Sequence, residues 1–121
     1  MSSQSDTILT ALHYLFSHSE GRIVAHCLDL DLVTSGNTIE SAEERLNAIV
    51  LAQIAICYTG GNYAQLRFKA PAESWQMLST ARELPKLNLE VDVPPVVLPV
   101  KRSVALLPVY RHEVEMELQV A

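Results

Sequence analysis

The chain has 121 residues and a net charge of −5, and its nine Lys and Arg are scattered, Lys101-Arg102 being the one adjacent pair. That fits a single small domain and excludes the massed positive charge that tracks a nucleic-acid backbone. Two cysteines, Cys27 and Cys57, lie about thirty residues apart, which is neither a disulfide framework nor a metal spacing, so a reducing cytoplasm is the expected setting. The polar start MSSQSD carries no basic region followed by an apolar stretch, so export is not expected, and no apolar run approaches the roughly 18 residues of a membrane span.

The run from Ile8 to His18, ILTALHYLFSH, mixes β-branched, aromatic and Leu residues and meets the turn signal Ser19-Glu20-Gly21. It reads as the first strand of a hairpin, although Leu9, Leu12 and Phe16 also fall at helical spacing. Arg22 to Leu28 and Leu30 to Thr34 are predicted strands. Ser35-Gly36-Asn37 then supplies a turn in which Gly36 is expected to take positive φ. Thr38 stands where a helix N-cap belongs, with Glu40, Glu43 and Glu44 in the first turns, where the helix dipole favours carboxylates.

The long helix that follows has a predicted core face of Ile39, Ala42, Leu46, Ile49, Val50 and Cys57, which should lie on the sheet. Leu51, Ile54 and Tyr58 form a second apolar side needing another cover. Gly60-Gly61 is expected to stop the helix, and Tyr63 to Phe68 is a candidate for a further short strand. Pro71 fits the first turn of a second helix, PAESWQMLSTARE, ended by Pro85. Its Trp75 and Leu78 are candidates to cover Leu51 and Tyr58, a partner chain being the alternative. Beyond Pro85, LNLEVDV alternates, PPVVLPV is apolar and proline-broken, and EVEMELQV alternates again, so residues from about 86 to 121 read as strands joined by an extended arm whose prolines keep it from a central sheet position.

The stretch CLDLDLVTSGNTIESAEERL resembles the core signature of the HicB antitoxin superfamily: an apolar strand, a small-x-Gly-x-Thr turn and an acidic helix start. The resemblance covers about the first half of the chain, and Gly36 and Thr38 are its motif residues. It implies a degenerate RNase-H-like sheet without catalytic carboxylates, and a partner that is a small basic RNA-cleaving toxin of the HicA type. Many such antitoxins end in a DNA-reading helical segment, whereas this chain ends in ELQVA on a predicted strand, so no direct DNA binding is expected.

Two groups of polar residues invite a chemical reading. His26, Cys27, Asp29 and Asp31 are the residue types that Mg²⁺ or Zn²⁺ recruits, but on a strand His26 and Cys27 point to opposite faces and a second pair of ligands is missing. No phosphate loop, nucleophile elbow or zinc-protease pair occurs. The expectation is no catalytic residue, no metal and no cofactor, with a small hydrolase using Asp29, Asp31 and a histidine as the minority alternative. Glu113, Glu115 and Glu117 share one face of a predicted strand, either as a solvated edge or as a negative strip for a basic partner.

Together these give an α+β domain: an antiparallel sheet carrying one long helix and a second, shorter one, in a β-β-β-α-β-α-β-like order. The predicted role is that of a non-enzymatic, HicB-like protein-binding module. The other role is that of a self-associating protein that keeps the fold without a toxin. The supply of apolar surface on the helix and the arm predicts a homo-oligomer, a dimer or higher.

Overall fold

A computed structural model describes residues 11–59, 69–93 and 103–117. The fold is α+β: a five-stranded mixed sheet in the order β3-β2-β1-β5-β4. Its strands are β1 (Leu12–Ser19), β2 (Arg22–Cys27), β3 (Leu32–Gly36), β4 (Arg82–Val93) and β5 (Ser103–Glu117). The helices are α1 (Ile39–Thr59) and α2 (Ala72–Gln76), the latter running on into a 3₁₀ turn over Met77–Ser79. The stretches Gly60-Gly61, Tyr63–Phe68 and PPVVLPV, and the chain end beyond Glu117, lie outside the described residues.

The first three strands follow from their turns. Ser19 pairs with Arg22 across Glu20 and Gly21, whose φ angles of 52° and 80° are the two positive values a tight, right-twisted hairpin needs. Cys27 pairs with Leu32 across the loop Leu28–Asp31, where Asp31 at φ 55° turns the chain. Both pairs of strands are antiparallel, as is β4 with β5, but β5 runs parallel to β1. The sheet is therefore mixed where the sequence suggested antiparallel pairing throughout. No short turn joins β1 to β5, so no local signal sets their relative direction.

Alternation along β1 assigns the two faces. Leu12, Tyr14 and Phe16 meet Ala42, Leu46, Val50, Ile54 and Cys57 of α1 in the main core, with Ala25 and Cys27 of β2 and Val91, Leu107 and Val109 of β4 and β5. Leu15, on the other face, packs with Leu28, Ala70, Trp75, Met77, Leu78 and Val114. Two expectations change here. Ile54 is buried on the core side of α1, while Ile49 is 37% exposed, because the helix is rotated so that the 42-46-50-54-57 row faces the sheet. Trp75 and Leu78 pack on the far side of the sheet from α1 and do not cover Leu51, which borders the main core.

The chain beyond α2 departs most from expectation. The second helix ends well before Pro85, and β4 begins at Arg82 and carries Pro85 within it. Pro85 is tolerated there because pairing with β5 shifts between Leu84 and Leu87, a bulge on an edge strand, and Arg111 Nη1 donates to the Pro85 carbonyl at 3.0 Å. The bulge also resets alternation, so that Arg82 and Leu84 before it and Leu87, Leu89 and Val91 after it share the α1 face. Of what the sequence presented as an arm, residues 86–93 and 103–117 are part of the sheet, and β5 lies between β1 and β4. Pro108 is admitted because pairing with β1 starts only at Val109, so that Pro108 is opposed by β4 alone.

Candidate functional site

The turn into α1 is built by Gly36 and Thr38, but not as the sequence implied. Gly36 is the last residue of β3 and does not have positive φ. It is needed for close approach: a Cβ there would meet the Ser41 hydroxyl and lie 2.7 Å from the Ala42 backbone nitrogen. Thr38 does cap the helix, its Oγ1 accepting from the Ser41 N–H at 3.0 Å while the Thr38 N–H donates to Ser41 Oγ at 3.2 Å. The pair is a reciprocal capping box with Ser in the place of the usual acid. Around it Thr38, Glu40, Ser41, Glu43, Glu44 and Asn47 line a shallow acidic depression.

The acidic row is altered by the register of β5. Glu113 is 7% exposed; it accepts from Arg82 Nη2 of β4 and lies 3.0 Å from His18 Nε2 of β1. Its carboxylate is thus held inside a three-strand cluster on the α1 face and is not part of an outer strip. Glu115 and Glu117 continue β5, with Glu117 opposite His18, and their side chains lie outside the description. Two positions remain as sequence candidates for a negative strip.

Arg111, two residues before Glu113, is a residue that sequence reasoning missed. Its Nε donates to Glu43 Oε2 of α1 at 2.6 Å, with both side chains nearly buried, and its guanidinium lies 5.9 Å from the Phe16 ring centroid. With the Pro85 carbonyl as a further acceptor, Arg111 ties α1, β1, β4 and β5 together. Glu43 looked like a dipole acid in the sequence. Its partner 68 residues away left no trace there.

The histidines and aspartates of the first half form two separate pairs. Asp29 accepts from the His13 backbone N–H at 2.5 Å and faces His13 Nδ1 at 3.1 Å; Asp31 faces His26 Nε2 at 2.7 Å. Both carboxylates therefore fasten the β2–β3 loop onto β1 and β2, and the Leu28 N–H adds a bond of 2.9 Å to the His13 carbonyl. The His13 ring is stacked on Tyr110 at 5.5 Å and meets Trp75 edge-on at 5.3 Å. The sequence held one usable signal for this pair: counting back from the Glu20-Gly21 turn places Leu28 opposite His13, and Asp29 follows.

Burial pushes the Cys27 thiol up to about 12, helped by the nearby Asp29 charge, so it stays protonated and inert. Burial also raises the Tyr14 phenol, which donates to Asn47 Oδ1 at 2.7 Å. Among the described residues no three of His, Cys, Asp and Glu assemble as a metal-holding group, and both cysteines are buried. No helix among them is long and apolar enough to cross a membrane.

Beside Trp75, Lys69, Ala70, Ala72 and Gln76 complete an open, apolar cleft. The same face exposes Leu106 and Tyr110 of β5, while Leu87 of β4 is exposed on the α1 side. The surface is thus supplied with apolar and acidic contacts more than with reactive groups. Comparison with known proteins adds no relative: no family model matches the chain, and neither does a curated protein or a solved structure.

Proposed function

We propose that the protein is a non-enzymatic, HicB-like binding module that takes a small basic protein, such as an RNA-cleaving toxin, against its acidic surface. The observation that supports this is the layout of residues 11–59: three strands feed through the Gly36–Thr38 turn into one long, acid-started helix, the arrangement that the resemblance implies. Glu40 and Glu44 stand exposed at the start of that helix, and Glu115 and Glu117 are the further candidates on β5. The carboxylates a hydrolase would use, Asp29 and Asp31, are engaged in holding a loop. Capture from native extract, followed by a salt wash, tests the reading. A small basic protein that binds directly and is released as salt rises is the expected result, because exposed charges are screened within about 10 Å at 0.1 M. Recovery of this chain alone would overturn it. Metal-dependent RNA loss abolished by Asp29→Asn would overturn it in favour of the hydrolase.

The second reading is a self-associating protein of the same fold without a toxin. It is favoured by the exposed apolar side chains Leu87, Leu106 and Tyr110 on the strands and Ile49 and Ile56 on α1. A dimer is its simplest form, and the two readings are compatible, since self-association leaves the acidic start of α1 free for a second protein.

A further inference from the structure

We propose that the outer side of α1 is the docking surface for the basic protein and that it takes an amphipathic helix, with lysine or arginine on Glu40 and Glu44 and apolar side chains on Ala48, Ala52 and Ile56. The proposal deepens the basic-partner reading and rests on it. Glu40, Glu44, Ala48, Ala52 and Ile56 follow one another at four-residue spacing, so they form a single ridge that slants around the helix over about 24 Å. All five are exposed, Ile56 at 64%, and Ile49 beside the ridge is 37% exposed. The inner row of α1, by contrast, is packed on the sheet.

The make-up of the ridge says what fits it. Its start carries two carboxylates that pair with no cation among the described residues; Glu43, the third acid of this part of the helix, is taken by Arg111, and Arg45 Nη1 donates to the Ser35 carbonyl. Its middle is alanine, which lets another backbone come close, and Ile56 and the neighbouring Ile49 stand proud of the alanines as apolar anchors. A helix laid with its own four-residue ridge beside such a row is the commonest way for two helices to pack. A second copy of this chain fits less well than a basic segment, because it brings the same two acids and a net charge of −5. An uncharged helix would cover the carboxylates without giving them a partner, which costs binding. The acids alone or the apolar row alone would select no occupant, whereas their succession on one ridge selects a helix that is basic at one end and apolar at the other.

Fluorescence anisotropy on the full chain tests the surface, with a labelled amphipathic peptide of leucine and lysine as the probe and a peptide of serine and lysine with the same charge as the control. The leucine peptide should bind more tightly than the serine peptide, and its affinity should fall as salt rises. Ile56→Asp should weaken it about tenfold even though the change adds a negative charge, which attraction by charge alone would turn into tighter binding. Glu40→Gln with Glu44→Gln should weaken it roughly fivefold and remove much of the salt dependence. Leu87→Asp, on β4, should leave it unchanged. Equal binding of the two peptides, or leucine-peptide binding that ignores Ile56→Asp or the paired glutamine change, overturns the α1 surface and leaves the basic-partner reading standing. A wild-type chain that binds neither peptide overturns the surface and that reading together. A two-chain mass that Ile56→Asp reduces to one chain gives the ridge to a second copy and likewise overturns the proposal.

Discussion

The two faces of the sheet do different work. Under α1 the side chains of Leu12, Tyr14 and Phe16 are fully buried against a helix row that is itself fully or almost fully buried, and the polar groups admitted there, Arg111, Glu43 and Glu113, are paired. Among the described residues the other face has three buried apolar residues, Leu15, Leu28 and Ala70, beneath a helix of five residues, and beyond them it presents Tyr110, Leu106 and the His13 ring. A face covered by its own chain supplies stability; a face covered only in part has surface to offer another molecule. Substitutions of the buried residues under α1 should act on folding, and substitutions of exposed apolar side chains such as Leu87 on association.

The largest effect should come from the covered face. Phe16→Ala removes a fully buried ring from beneath Arg111 and is expected to cost about 3 to 5 kcal/mol by denaturant unfolding. Leu15→Ala, on the other face, should cost less, about 2 kcal/mol. Equal losses would show that the two faces contribute alike and would break the comparison.

Gly36→Ala should cost about 1 to 3 kcal/mol, because the new methyl group meets the Ala42 backbone, which cannot move aside as a flexible side chain could. A neutral result would mean that β3 and α1 are not in this contact. Smaller again is the Thr38→Ala change, expected at about 1 kcal/mol because one capping acceptor is lost, with no change in binding. A melt without loss would place the helix start elsewhere.

The dry core also predicts an alkaline limit. Cys27 has its pKa raised in the folded state from 9.0 to about 12, so the native state keeps a proton that the unfolded chain gives up. Stability from this group is complete below pH 9 and declines between pH 9 and about 12, by up to roughly 1.4 kcal/mol per pH unit. Tyr14, raised in the same direction, steepens the decline above pH 10. Cys27→Ala should therefore flatten the fall in Tm between pH 9 and 10, and an unchanged slope would show that the thiol is hydrated.

How much of this was legible in the sequence depended on chain separation. Strands β1 to β3 and the start of α1 are joined by short turns, and Glu20-Gly21 and Thr38 carry their own instructions. The part of β5 before Glu113 was misread as an arm because its neighbour β1 lies about a hundred residues away, and Pro108 and Pro85 looked like exclusions from the sheet. Only the register shows that Pro108 sits outside the doubly paired stretch and that Pro85 sits in a bulge. Glu113 was misassigned to the solvent for the same reason, its partners Arg82 and His18 lying 31 and 95 residues away. The helix was placed correctly but its rotation was not, since Ile49 and Ile54 are equally apolar and only packing distinguishes them.

The most direct test of the account is the mass of the purified chain in solution. Light scattering at low micromolar concentration should give twice the 13.4 kDa of one chain, and the Leu87→Asp variant should move toward the single-chain mass while keeping its thermal melt. A monodisperse 13.4 kDa species that does not change with concentration would contradict the claim that this chain associates with a second copy through its exposed apolar side chains.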